Sequence, residues 1–124
     1  MKKAELKIGS NKMIILEKSE IHMFDFNDII GVFSDHPYLL IEFANKTSKL
    51  IFYSLKEIGQ LLPIPFIKCN RSSIINITYL TKVTNENSES FLQLKNGKKI
   101  NLPRRKKNDI ISRIKSIISA SFAI

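Results

Sequence analysis

From residue 28 onward, short apolar runs alternate with polar breaks along the chain. The runs "DIIGVF" (28–33) and "YLLIEF" (38–43) have the length of β-strands, and the turn-like cluster "SDHP" separates them. A second polar break, "NKTSK" (45–49), precedes the apolar run "LIFY" (50–53). Because strands joined by such short connections pair antiparallel, this pattern predicts an antiparallel meander.

The apolar period changes in "SLKEIGQLL" (54–62), which predicts a helix of about two turns. Ser54 and Glu57 have the spacing of a capping box, in which the hydroxyl accepts from a backbone N–H of the first turn. Pro63 and Pro65 end the helix, because proline lacks a backbone donor and disfavours helix in the residue before it. The apolar side chains at helical spacing are Leu55, Ile58, Leu61 and Leu62.

The next segments return to strand-like patterns. Apolar runs at 66–69, 74–76 and 79–84 predict three more strands, and "NENSE" (85–89) predicts a loop. In "FLQLKNGKKINL" (91–102), the dipeptide Asn96–Gly97 predicts a type I′ turn between two alternating strands, with both residues at positive φ.

The two ends of the chain differ in the strength of their patterns. The first twenty residues are weakly patterned, and only Met13–Leu16 suggests a strand. After Pro103, a helix is predicted from about Asn108 or Asp109. Its apolar stripe comprises Ile110, Ile111, Ile114, Ile117 and Ile118. The chain is therefore expected to be one domain over residues 1–124, mostly β with minor α, with short antiparallel sheets, a short internal helix and a C-terminal helix.

The positive charge of the chain is concentrated near its C-terminus. The net charge is +9, and residues 91–124 contain nine Lys or Arg residues but only one acidic residue, Asp109. This asymmetry favours a polyanionic partner, either nucleic acid or an anionic membrane surface. The alternative is a basic face that binds only solvent.

Other features of the composition argue against several classes of protein. The single cysteine, Cys69, excludes an internal disulfide framework, and no apolar run is long enough for a signal sequence or a membrane span. We therefore expect a cytoplasmic protein. With two histidines, His22 and His36, and no catalytic or phosphate-binding motif, we expect no enzyme, metal, cofactor or small-molecule substrate. A nucleophile pair of Cys69 and His36 is conceivable, but a small core residue is the simpler interpretation of Cys69.

Two polar segments have side chains suited to nucleic acid. In "CNRSS" (69–73), Asn70 can bond bidentately to adenine, Arg71 to guanine, and Ser72 or Ser73 to phosphate. Ordinary turn chemistry also explains Asn70 and Ser72, but it does not explain Arg71. The second segment, Arg104–Lys107, is a basic run before the predicted C-terminal helix, where the helix dipole also favours a bound anion.

The order and spacing of these segments resemble the LytTR family of bacterial DNA-binding domains. The resemblance rests on "SLKEIGQLLPIPFIKCNRSSIIN" (54–76) and "LKNGKKINLPRR" (94–105), and it extends from about residue 28 to 118. It implies a LytTR-like fold and a transcriptional regulator that binds repeated promoter elements in duplex DNA as two copies, as in a homodimer on direct-repeat-like sites. In this family, loops rather than a helix enter the major groove.

The resemblance also implies positions for contacts with DNA. Transferred residue by residue, these DNA-binding positions are Tyr38, with His36 nearby, Asn70, Arg71, Ser72, Arg104 and Arg105. The charge of the basic run adds Lys106 as a phosphate contact. Two positions depart from the family pattern, because Asn70 replaces the usual His and Pro103 the usual Ser. The roughly 27 residues before the core are too few for the receiver domain that many family members carry. The chain is therefore expected to be either a stand-alone regulator or one domain of a longer protein, and the start at Met1 favours the former.

Two other functions remain open from the sequence. The first is a non-enzymatic basic module that binds an acidic protein or an anionic membrane surface through a partly exposed Ile stripe. The second is single-stranded RNA binding, which needs exposed aromatic side chains on a sheet face. Most Phe and Tyr residues here occupy expected core positions, so RNA binding ranks below duplex DNA binding.

Overall fold

A computed structural model of the chain describes residues 2–121, with side chains described for residues 2–120. The chain forms two compact units, the first ending at Leu62 and the second beginning at Pro63. Both units consist mainly of short antiparallel strands, and each contains one α-helix. The predicted mostly β fold with minor α is therefore confirmed.

The first unit contains six strands and the short internal helix. Three strands form one antiparallel sheet in the order β1–β2–β3, and β4, β5 and β6 pair in sequence as a meander. A one-turn 3₁₀ helix, Phe26–Asp28, joins the two groups. The strands are β1 Glu5–Ile8, β2 Lys12–Glu17, β3 Glu20–Asp25, β4 Ile29–Asp35, β5 Tyr38–Phe43 and β6 Ser48–Ile51.

The alternation of apolar and polar residues accounts for the strands of this unit. In β5 every second side chain is buried, namely Leu39, Ile41 and Phe43. The strand predicted at Met13–Leu16 is confirmed within β2, but the run predicted over 50–53 pairs only as far as Ile51. Neither β1 nor β3 was predicted, because β1 lies within the weakly patterned first twenty residues and β3 begins at their end.

The internal helix, α1, spans Leu55–Leu61 and has the predicted cap. The Ser54 hydroxyl oxygen accepts from the Glu57 N–H at 3.1 Å, and the same hydroxyl donates to Glu57 Oε1 at 2.9 Å. Leu55 and Ile58 are buried, whereas Leu61 is exposed. The short helix therefore packs through one apolar side only.

The second unit contains a hairpin, a three-stranded antiparallel sheet and the C-terminal helix. The hairpin pairs β7 with β8, and the sheet has the order β11–β10–β9. A 3₁₀ turn, Ile77–Tyr79, leads from β8 to β9. The elements are β7 Phe66–Asn70, β8 Ser73–Asn76, β9 Leu80–Glu86, β10 Glu89–Leu94, β11 Lys99–Leu102 and α2 Lys107–Ser121.

The hairpin turns differ from the prediction. The type I′ turn predicted at Asn96–Gly97 is wrong, because only Gly97 of the two has positive φ, at 87°. Gly97 N–H donates to Leu94 O, and Leu94 N–H donates to Lys98 O, which is the pattern of a type I turn closed by a glycine bulge. The two-residue turn with both residues at positive φ is Asn87–Ser88, between β9 and β10.

Helix α2 begins at Lys107, one or two residues earlier than predicted. Its Ile stripe is only partly buried: Ile110 and Ile114 are in the core, whereas Ile118 is 40% exposed. No helix in the described part of the chain is long and apolar enough to cross a bilayer.

Candidate nucleic-acid interface

The tip of the β7–β8 hairpin, Asn70–Ser73, is called the knuckle here. The two ends of the knuckle are paired, Asn70 with Ser73, and the two residues between them form the turn. Arg71 and Ser72 are exposed, whereas Ser73 is buried. The hairpin therefore presents one guanidinium and one hydroxyl at its tip.

The amide of Asn70 is already engaged within the second unit. Its Oδ1 accepts from the Ser72 N–H at 2.9 Å and from the Ser72 hydroxyl at 3.2 Å. Its Nδ2 donates to the backbone oxygen of Asn101, in β11, at 2.7 Å. These bonds close the knuckle as an Asx turn and connect it to the neighbouring strand. A bidentate contact between Asn70 and adenine would compete with these bonds.

Arg71 differs from Asn70 in that its guanidinium has no hydrogen bond or ion pair with any residue from 2 to 120. The short turn beneath it is fixed by Asn70, so the base of the side chain is held while its fork faces solvent. A planar fork of this kind can bond bidentately to guanine or to a phosphate.

The second candidate loop, Arg104–Lys106, connects β11 to α2 and is called the basic turn here. Lys106 N–H donates to Pro103 O at 3.1 Å, and Ile110 N–H donates to Lys106 O at 2.9 Å. Lys106 thus forms the junction between the turn and the helix. All three cationic side chains are exposed.

The knuckle and the basic turn share a cleft of about 270 Å³. Its lining includes one carboxylate, Asp109, and four cationic side chains: Lys68, Arg71, Lys106 and Arg113. Sequence reasoning missed Lys68 and Arg113 as site residues. Their spacing could have identified them, because Lys68 is the outward residue of β7 and Arg113 follows Lys106 by seven residues, or about two helical turns.

Some of the other C-terminal lysines are engaged within the second unit. Lys99 Nζ is 2.7 Å from Glu86 Oε1, and Lys107 Nζ donates to Asn85 Oδ1 at 3.1 Å. These contacts hold two of the cations against the three-stranded sheet. The unpaired cations of the cleft are therefore better placed for an external anion.

The remaining predicted site residues, His36 and Tyr38, lie in the first unit. His36 is exposed in the turn between β4 and β5, and Tyr38 begins β5. The Tyr38 ring is half-buried and meets Phe52 edge-on, with 6.1 Å between the ring centroids. These two residues therefore lie in and beside the turn between β4 and β5.

The chemistry of Cys69 fits a core residue. The side chain is buried, and its thiol donates to Ile67 O at 3.6 Å. Burial raises the pKa of this thiol to about 12, although the nearby Arg113 guanidinium acts in the opposite direction. Among residues 2–121, no group of three or more His, Cys, Asp or Glu side chains could hold a metal ion.

Comparison with known families identifies the domain. The sequence model of the LytTr DNA-binding domain matches residues 19–115, which is most of the chain. The chain belongs to the LytTR family of DNA-binding domains. This LytTR domain is thus a duplex DNA-binding module of the kind that acts in transcription regulation. The strands β1 and β2 precede the matched region.

A solved structure supports the same fold. The LytTR domain is similar to a LytTr DNA-binding domain from Bacillus cereus, with a TM-score of 0.69 and 19% sequence identity. The similarity covers 84% of this chain and 96% of the other. Comparison with curated proteins gives no match. At this identity the structural similarity establishes the fold alone.

Proposed function

We propose that this LytTR domain is a cytoplasmic transcriptional regulator that reads promoter sequence through the knuckle and the basic turn. The observation that carries the proposal is the exposed, unpaired guanidinium of Arg71 beside a cleft lined by three further cations. Loops with this charge can enter a major groove without a recognition helix. No catalytic step is part of this function.

The proposed roles differ among the site residues. Arg71 and Arg105 read base edges, because the arginine fork fits the two acceptors of guanine. Ser72, Arg104 and Lys106 contact phosphates and set the register on the duplex. His36 and Tyr38, on the first unit, supply a further group of contacts.

Two revisions to the expected site follow from the geometry of the second unit. Asn70 is assigned as a positioning residue, because both ends of its amide already hold the knuckle and β11. Lys68 and Arg113 join the phosphate contacts, because they line the cleft together with Arg71 and Lys106. We expect two copies to bind repeated elements, since one copy reads only a short sequence.

The experiment that tests this function is selection from a random duplex DNA pool at near-physiological salt, followed by sequencing of the bound fraction. Enrichment of a short element repeated at about one helical turn, or a multiple of it, would support a two-copy regulator and give its operator. Uniform recovery without an enriched sequence would leave only phosphate attraction and would overturn the proposal.

The alternative of a membrane or acidic-protein module has weaker support. It requires the apolar stripe of α2 to be available, but Ile110 and Ile114 are buried and only Ile118 is clearly exposed. Binding to anionic vesicles as tight as binding to the selected duplex, at the same salt, would favour this alternative. Our proposal predicts clearly weaker vesicle binding.

A further inference from the structure

The sheet β1–β2–β3 has an outer face that the described chain leaves uncovered. Two of its apolar side chains on β3 are among the most exposed in the structure, Ile21 at 70% and Met23 at 57%. Large apolar side chains grouped on one face of a soluble domain commonly mark an interaction surface. None of the proposed DNA contacts lies on this sheet.

The strand register places the outer face in two rows that cross the sheet. The first row is Glu5, Leu16 and Ile21, which pair across the three strands. The second row is Lys7, Ile14 and Met23, two residues further along each strand. Each row thus has one charged residue on β1 and two apolar residues on β2 and β3.

The opposite face of the same sheet is well anchored within the first unit. Met13 and Ile15 of β2 are fully buried there. Phe24 of β3 contacts Phe43 of β5, with 4.5 Å between the ring centroids. The sheet is therefore a firm part of the unit, and its outer rows are held in a fixed arrangement.

The charges on the outer face do not suit a polyanion. Glu5 Oε1 lies 3.7 Å from Lys7 Nζ, and at the end of the sheet Lys12 Nζ lies 2.6 Å from Asp25 Oδ1. Positive and negative side chains are therefore balanced around the apolar centre. Such a face favours another protein surface of mixed charge over DNA or an anionic membrane.

We propose that the occupant of this face is the same face of a second copy of the chain. The argument is charge complementarity under two-fold symmetry. The two-fold axis lies between the two facing sheets, perpendicular to the strands and midway between the two rows. It places the first row of each copy opposite the second row of the other copy. Glu5 of each copy then faces Lys7 of the other, and the apolar residues face one another.

The expected association is weak. Four apolar side chains form a smaller contact than the roughly 20–30 residues per side of a standard interface. A weak dimer of this two-fold symmetry can nevertheless matter on DNA where two elements are inverted, because two linked copies raise each other's effective concentration there. The inference goes beyond the proposed function, since self-association of this kind needs no DNA.

A charge exchange on the full chain tests the interface. Sedimentation equilibrium without DNA should show a monomer–dimer equilibrium in the unaltered chain. Glu5→Lys or Lys7→Glu alone should raise the dimer dissociation constant about tenfold, because each puts like charges opposite one another twice. The double variant Glu5→Lys/Lys7→Glu should restore it to within about threefold, because opposite charges then face each other again.

Ile21→Lys provides an independent test, because this exposed side chain can change without disturbing the core. It should abolish the dimer while leaving the circular dichroism spectrum and the affinity for a duplex with a single selected element unchanged. A chain that is monomeric at millimolar concentration, or a dimer that the single charge variants do not weaken, would overturn the proposal. Because the dimer is measured without DNA, its failure is distinguishable from failure of the proposed DNA reading.

Discussion

The two units of the chain resemble each other in secondary structure but differ sharply in charge. Residues 1–62 contain eight basic and eight acidic residues, whereas residues 63–124 contain twelve basic and three acidic residues. All four arginines, Arg71, Arg104, Arg105 and Arg113, lie in the second unit. The net charge of +9 therefore belongs entirely to one of two similar folding units.

The units also differ in how their charges are used. Among the described residues of the first unit, four of the eight lysines pair with carboxylates, as Lys49 does with Glu17 at 2.8 Å and Lys12 does with Asp25 at 2.6 Å. In the second unit, the cations around the cleft have no carboxylate within ion-pair distance among residues 2–120. A cluster of unpaired cations, rather than total charge, thus marks the surface suited to DNA.

The largest expected effects test whether the cores of the two units are equally well packed. Ile15, in the first unit, and Ile75, in the second, are both fully buried. Replacing either with alanine should lower the free energy of unfolding by about 2–5 kcal/mol, because each change leaves a cavity in a packed core. Urea unfolding followed by circular dichroism measures this loss. A loss below about 1 kcal/mol for one of them would show that its unit is loosely packed.

The next-largest effect tests whether Arg71 contributes more to DNA binding than a cation of the first unit does. Arg71→Ala should weaken binding to the selected duplex by about 1–3 kcal/mol and relax the preference at one base pair. Lys56→Ala, on the exposed side of α1, is the matched control and should change neither. Titration of a labelled duplex, with a panel of single-base variants, gives both quantities. Equal effects of the two substitutions would remove Arg71 from the site.

A smaller effect separates phosphate attraction from base reading. Lys106→Gln should reduce the slope of log affinity against log salt by about one, because one phosphate contact is lost. Its effect should be uniform across DNA sequences. Lys56→Gln should leave the slope unchanged, so that a reduced slope in both variants would contradict the distinction between the units.

The smallest expected effect concerns an ion pair of the first unit. Hydrogen bonds from Lys3 and Ser54 hold the pKa of the Glu57 carboxyl below its ordinary value. A lowered folded pKa means that this contribution is present above the unfolded pKa, about 4.3, and is lost as the pH falls through the folded pKa. In the Glu57→Gln variant, the unfolding temperature should therefore fall less steeply as the pH is lowered below about 5. The affinity for DNA should be unchanged.

The sequence predicted correctly those elements that are specified by a few neighbouring residues. The Ser54 cap, the prolines after α1 and the alternation in β5 each specify structure within a few residues, and each was confirmed. The Asn96–Gly97 turn failed because a dipeptide alone does not fix the loop length. Two-residue and three-residue loops both accept Asn–Gly, and strand pairing decides between them.

The candidate site was predicted unevenly for a similar reason. The residue types and the family resemblance pointed to Arg71 and Arg105, but whether they contact DNA is still a prediction. The engagement of Asn70 with Asn101 could not be inferred, because the two residues lie 31 positions apart and meet only through tertiary structure. The outer face of the N-terminal sheet was missed because neither β1 nor β3 was predicted as a strand.

The buried thiol of Cys69 can be used to measure opening of the β7–β8 hairpin. Cys69 lies in β7, immediately before the knuckle, and its side chain is fully buried, so a reagent reaches the thiol only when the strand separates. Burial also raises the pKa of the thiol. This also makes the fold less stable as the pH rises from about 8.5 towards 12, because the unfolded thiol ionises first. The rate of thiol labelling at neutral pH should therefore measure how often the hairpin opens, and a duplex that grips the knuckle should slow it.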